Sequence, residues 1–290
     1  MVAVSIHHRT SYRYQELVTL SPHRMLLRPR ESRELRLRSH DLSIVPEARI
    51  KWSHDVVGNA VATAFFHSPS ESVMVESVAA VELTSEKWPI FDIDVSAINY
   101  PFVYADRDYI DLGALTTQQY VDVNDTLRNW ARGFIAANPT DTLSLLKDVS
   151  LGIASTISYQ SREEEGTQGP LHTLERGWGS CRDFAVLFAE AVRSLGFGAR
   201  LVSGYLFNPD NSMTGSGDKG STHAWVEVFV PGAGWITFDP TNRSMGGANL
   251  IPVAVVRDIM HAVPVAGTFT GRSDAFLRMD VSVEVKELEA

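Results

Sequence analysis

From its N-terminus the chain alternates apolar and polar positions with the two-residue period of a half-buried strand. Thr10, Tyr12 and Tyr14 share one side of such a strand. Residues 50–57 and 60–67 are two more runs of this kind, separated by Gly58-Asn59, a pair that tolerates the positive φ of a hairpin turn. Residues 72–83 predict another strand, apolar on both faces. Short strands divided by turn signals predict a sandwich-like all-β module. The pattern fades across residues 96–122, where Pro101 and a polar run at 116–119 interrupt it. Residues 1–110 are assigned to this module.

Near residue 124 the period changes to that of a helix. Asn124 or Asp125 caps a segment carrying Leu127, Trp130, Ala131, Phe134 and Ile135, which Asn138-Pro139 ends. A second helix from Thr142 carries Leu145, Leu146, Val149, Ile153 and Ile157 on one stripe. After a polar stretch at 161–167 the order is helix, strand, Gly-rich loop (208–221), strand, tight turn and strand. Met279, Val281, Val283 and Val285 alternate within 277–288 and predict a last strand. The fold class is α+β: the β module, a core over residues 111–265, and a C-terminal strand segment, 266–290, packing on one of the two.

Composition narrows the function classes. Apolar content of 44% with 21% charge suits a soluble globular protein. No run of about 18 apolar residues predicts a membrane span, and the first residues carry no apolar stretch of signal-peptide length, so a cytoplasmic location is expected. A net charge of −9 argues against nucleic acid as a partner. The basic stretch at 28–38 also holds Glu31 and Glu34 and is taken as a solvated face. No helical His pair at i, i+4 is present, His7 and His8 would point to opposite sides of a strand, and Asp106 and Asp108 lack the rest of a calcium loop. No cofactor and no catalytic metal are expected, and the sequence sets no oligomeric state.

Chemistry centres on Cys181, the single cysteine. Ser180 and Asp183 form the ends of a capping-box pattern, which puts Cys181 at the first position of a helix. The unpaired N–H groups and dipole of that end favour a thiolate. Gly177 and Gly179 allow a sharp turn and a close backbone approach before it. Phe184, Ala185, Phe188, Val192 and Leu195 continue a one-sided stripe from the thiol, and Gly196 caps the end.

Residues 221–230 alternate as a strand with His223, Trp225, Glu227 and Phe229 on one face. Residues 235–241 bring Trp235, Thr237 and Asp239 to one face of a second strand. If a three-residue loop sets Val230 opposite Gly234, His223 lies opposite Thr241 and Asp239 becomes its diagonal neighbour, about 7–8 Å away. A four-residue loop would place them on opposite faces. A carboxylate there fixes one imidazole nitrogen and leaves the other for the thiol.

The segments GWGSCRDFAVLFAEAVRSLGFGARLVSGY and THAWVEVFVPGAGWITFDPTN closely resemble the bacterial branch of the transglutaminase-like superfamily. The leading β module resembles the N-terminal domain attached to that branch, and residues 257–284 also fit it. The resemblance implies a papain-like core with Cys181 as nucleophile, His223 as base and Asp239 as the residue orienting it. Arg182 stands where many relatives have Gln. The backbone N–H of Cys181 is the best oxyanion donor, with Tyr159 or Gln160 as side-chain candidates; Trp178 and Trp225 are candidates for cleft walls or for packing. The implied activity is acyl transfer from a peptide or protein amide, with hydrolysis ranked above transfer to an amine. A non-catalytic binding module on the same fold is the competing expectation, and a structural calcium remains compatible with the resemblance. The Gly-rich loop is a candidate flap, and Glu163, Glu164 and Glu165 are taken as a solvated run.

Overall fold

The computed structural model describes residues 2–161, 166–210, 212–214 and 221–288. Six strands open the chain: β1 (Val2–Leu20), β2 (His23–Met25), β3 (Leu35–Val45), β4 (Ala48–His54), β5 (Ala60–Phe66) and β6 (Ser70–Leu83). Among the described residues, five α-helices follow: α1 (Asp106–Leu112), α2 (Thr126–Arg132), α3 (Thr142–Thr156), α4 (Pro170–Arg176) and α5 (Cys181–Ser194). The remaining long strands are β7 (Gly198–Leu206), β8 (Ser221–Val230), β9 (Gly234–Asp239), β10 (Leu250–Val256) and β11 (Phe276–Glu287).

Two antiparallel sheets form the leading β region. In one, β1 lies between β6 and β11, with β3 outside β6. In the other, β5 lies between β2 and β4, with β4 and β5 joined as a hairpin in which His54 faces Ala60. Tyr14, Val18, Met25, Ala64, Val73 and Val75 pack together between the sheets. The last strand therefore returns to the first, with Thr10 opposite Val281.

The second layer is an antiparallel sheet in the order β9-β8-β7-β10, extended beyond β9 by the two-residue strand Ser244–Met245. Helix α5 packs on it through Phe184, Phe188 and Val192, which meet Ala224, Val226 and Val228 in one core. The expected one-sided stripe on α5 is too narrow a description: every residue from Asp183 to Arg193 is buried. Its charged members survive burial by pairing. Arg193 Nη1 donates to Glu190 Oε1 at 2.7 Å, and its other nitrogens reach the carbonyls of Ala199 and Arg257. Glu190 Oε2 in turn accepts from the backbone N–H groups of Gln119 and Tyr120.

Other departures from the sequence pattern have local causes. Helix α2 ends at Arg132, well before Asn138. The Phe134 ring instead seats on Gly152 of α3, where a Cβ would lie 2.2 Å from it. Asp122, not Asn124 or Asp125, accepts from the first-turn N–H groups of Thr126 and Arg128. Strand β10 escaped the pattern because Pro252 sits inside it, tolerated on an edge strand beside a register shift opposite Ser203 and Gly204.

The two regions share side chains across their contact. Asn59, in the β4–β5 turn and fully buried, donates to Val255 O at 2.8 Å and accepts from Val255 N at 2.9 Å. His8 of β1 bonds Tyr205 of β7 at 3.0 Å.

Arg193→Met tests the role of the buried pair. Removing the cation leaves Glu190 charged in the core, a change that costs about 3–5 kcal/mol. Urea unfolding of wild type and variant is expected to show a loss of that size. A loss below about 1 kcal/mol would mean that the pair is not a structural anchor.

Candidate active site

The site begins at the turn before α5. Residues Ser158–Tyr159 and Trp178–Gly179 form a short parallel ladder, and Gln160 N donates to Gly179 O at 2.9 Å. Gly177 has a φ of 68°, the left-handed region that glycine adopts freely. Gly179 permits a close approach: a Cβ there would fall 2.8 Å from the Asp183 Cβ. The capping box closes in both directions, with Ser180 N donating to Asp183 Oδ2 at 2.8 Å. Gln168 completes this buried carboxylate's shell, its N–H donating to Oδ1 at 2.7 Å. Cys181 is thus held as the first residue of α5 and is half-buried.

Its partners arrive on the hairpin. The register sets Val230 opposite Gly234 and Val226 opposite Phe238, the three-residue alternative of the two that the sequence allowed. Same-face parity follows, and His223 Nε2 lies 2.8 Å from Asp239 Oδ2, both side chains fully buried. The His223 ring rests at a 26° angle on Trp225, with centroids 6.1 Å apart. Its Nδ1 is buried and forms no well-aligned hydrogen bond. The Cys181 thiol is nonetheless its neighbour, close enough for each group to shift the other's proton affinity. Imperfect alignment of such a pair is common before substrate binds.

Burial alone pushes the Cys181 thiol up, but the His223 imidazole, the Ala224 backbone N–H and the Arg182 charge outweigh it, so the thiol lies below its usual value. Burial pulls His223 down, and the Asp239 carboxylate outweighs that, pushing the imidazole up to about 10. Burial likewise pushes Asp239 up, yet His223 and Asn242 hold it below the usual carboxylate range. The three shifts favour a carboxylate–imidazolium–thiolate array.

The sequence reading missed what surrounds Asp239. Its Oδ1 accepts from Thr241 N at 3.0 Å, and its Oδ2 accepts from Asn242 Nδ2 at 2.7 Å. Asn242 Oδ1 in turn accepts from Thr214 N at 2.7 Å, which ties the described end of the Gly-rich loop to the site. The signal was an Asp followed closely by Thr and Asn, the usual side-chain-to-backbone turn.

The remaining candidates are dispersed. Tyr159 stands beside the thiol; burial and then the Cys181 charge push its hydroxyl up to about 12. Gln160 is exposed and engaged through its backbone. Trp178 is partly buried under the Arg176 guanidinium at 5.1 Å. Trp225 is 1% exposed, packed with Val202, Leu206 and Leu250, and supports His223 from behind instead of walling a cleft. Glu163, Glu164, Glu165 and residues 215–220 of the Gly-rich loop lie outside the described residues. Among the described residues no group of three or more His, Cys, Asp or Glu is gathered for a metal, and no helix is long and apolar enough to cross a membrane.

Asp239 also links the site to stability. Its folded pKa is depressed, so its contribution is present above the ordinary value of 3.8 and is lost as pH falls through the folded one. Thermal unfolding against pH is therefore expected to fall off more steeply below about 4 in wild type than in Asp239→Asn. Parallel acid limbs would contradict the buried ion pair.

With this geometry in place, the comparisons are specific. Residues 4–82 match the bacterial transglutaminase-like N-terminal region, and residues 128–240 match the transglutaminase-like superfamily core, which spans Cys181, His223 and Asp239. An uncharacterized protein of Mycobacterium tuberculosis is 29% identical over 296 residues, covering 97% of this chain and 92% of that protein. One from Mycobacterium leprae is 27% identical, with 97% of each chain covered. A crystal structure of a "putative cysteine protease" from Cytophaga hutchinsonii superposes with a TM-score of 0.76 at 20% identity, over 100% of this chain and 91% of that one, a likeness of fold. The chain carries a transglutaminase-like superfamily core behind a bacterial transglutaminase-like N-terminal region.

Proposed function

We propose that the protein is a thiol-dependent acyl-transfer enzyme that cleaves an amide or peptide bond through Cys181, His223 and Asp239. The observation that carries this reading is the 2.8 Å contact between His223 Nε2 and Asp239 Oδ2 in a buried site, which leaves Nδ1 for the thiol. Asp239 cannot swing away, because its oxygens also hold the backbone of Thr241 and the side chain of Asn242.

In the proposed cycle the Cys181 thiolate attacks the substrate carbonyl carbon, forming a C–S bond and moving the carbonyl electron pair onto oxygen. The N–H groups at the start of α5, which lack partners within the helix, favour that oxyanion. His223, as imidazolium, gives its proton to the amide nitrogen; the C–N bond breaks and the amine leaves. Water then attacks the thioester with His223 taking its proton, and the acid and the thiol are released. Asp239 remains a carboxylate throughout and stabilises the imidazolium. An amine in place of water would give transamidation.

The test is the pH dependence of Cys181 alkylation by iodoacetamide. Wild type is expected to label rapidly with an apparent pKa well below the roughly 8.5 of a free thiol. His223→Ala is expected to shift that midpoint upward and slow labelling at neutral pH by at least about tenfold. Labelling no faster than a free thiol, unchanged in the variant, would leave only the binding-module reading. If the thiol is activated, release of acid from test amides with and without a primary amine separates hydrolysis from transfer.

A further inference from the structure

A groove of about 590 Å³ runs past Tyr159, the neighbour of the Cys181 thiol. Tyr159 and Phe184 line it on the side of Cys181, and Thr241 and Arg243 line it on the side of Asp239. Ser155, Ser158, Ser212 and Thr214 contribute hydroxyls. Among the described residues, none of those lining it is a carboxylate, although the chain carries 35 acidic residues against 26 basic ones.

Two groups in this groove can bond a ligand, one a buried hydroxyl without a partner and the other an exposed guanidinium. Thr241 is 8% exposed, and its buried Oγ1 has no hydrogen-bond partner. A buried hydroxyl in that state costs about 1–3 kcal/mol and can recover it when a ligand supplies the missing bond. Arg243 has a φ of 54°, in the left-handed region that a residue with a side chain seldom adopts. Its Nη2 donates to Ala154 O at 3.0 Å, near the end of α3. A guanidinium carries five N–H donors, and Ala154 is the only partner of this one among the described residues. Arg243 is exposed, so its other donors face water, and the left-handed turn and the Ala154 bond place this solvent-accessible cation at the groove. The C-terminal carbonyls of α3 disfavour an anion here, and the Arg243 bond to one of them offsets that field.

We infer that this groove binds a carboxylate-bearing stretch of the substrate, with Arg243 taking the carboxylate and Thr241 Oγ1 bonding the peptide backbone. The inference rests on the reading of Cys181 as nucleophile and names the substrate class of that site: acidic peptides, or peptides presenting a free C-terminus. The planar guanidinium suits either source, since both offer two oxygens for paired hydrogen bonds.

The experiment uses the full chain and two kinds of probe. Peptidyl chloromethyl ketones carrying Glu or Gln at successive positions report side-chain carboxylates. Protection of Cys181 by neutral peptides with free or amidated C-termini reports terminal ones. The expected result is a Glu-over-Gln preference of about tenfold in labelling rate at one position, or selective protection by the free C-terminus. That discrimination is expected to fall toward one in Arg243→Gln and to return in part in Arg243→Lys. No discrimination in wild type by either arm, or a preference retained in Arg243→Gln, would overturn the inference. Iodoacetamide labelling separates the two readings. An unactivated thiol would count against the catalytic reading alone, because the ketones still alkylate the thiol at a finite rate and report the groove.

Discussion

Asp239 is a carboxylate with no exposure to solvent, and the cost of burying it organises the site. An isolated buried charge is expensive enough that the group would take up a proton instead. Here the charge is kept by saturating both oxygens: His223 Nε2 and Asn242 Nδ2 on one, Thr241 N and Asn242 N on the other. Each of those bonds also does something for its donor. The imidazole is oriented with Nδ1 toward the thiol, the chain after β9 is folded into a turn, and Asn242 is left with its oxygen facing the Gly-rich loop.

The rest of the fold supplies the rigidity that this arrangement requires. His223 lies on a central strand of the sheet, between β7 and β9, with Gly204 opposite it. A Cβ on Gly204 would fall 2.0 Å from Ile251 O and 2.8 Å from the Trp225 ring, so only glycine lets β10 and Trp225 close behind the histidine. Asn59 then pins β10 to the leading β region through both polar groups of Val255. The N-terminal region therefore backs the layer that carries His223, whatever else it does. On the other side, α5 presents Cys181 from a helix buried on all its faces, with the Glu190–Arg193 pair tying its far end to β7 and to residues 119–120.

Much of this was legible in the sequence because it rested on short-range rules. The capping box, the parity of the hairpin and the alternation of the first and last strands need only neighbouring residues. Cys181, His223 and Asp239 could be brought together because each sits at a position fixed by a local device. What the pattern hid depends on distant contacts. Pro252 disguised β10, whose place on the sheet edge is decided by β7. The seat for Phe134 is made by Gly152 on another helix. Helix α5 looked one-sided because part of what satisfies Glu190 and Arg193, at Gln119, Tyr120 and Arg257, lies far along the chain. Arg243 and Thr241 carried no motif; their significance comes from a groove that forms only when α3 and the end of β9 meet.

The central claim is that the buried Asp239 holds His223 as an imidazolium facing a thiolate at neutral pH. Nitrogen NMR of the His223 ring, assigned by comparison with His223→Gln, reads this directly. The account predicts that both ring nitrogens carry protons near neutral pH in wild type, and that Cys181→Ser lowers the pH at which one is lost. A neutral single tautomer in wild type, titrating near the ordinary 6.5 and indifferent to Cys181→Ser, would contradict it.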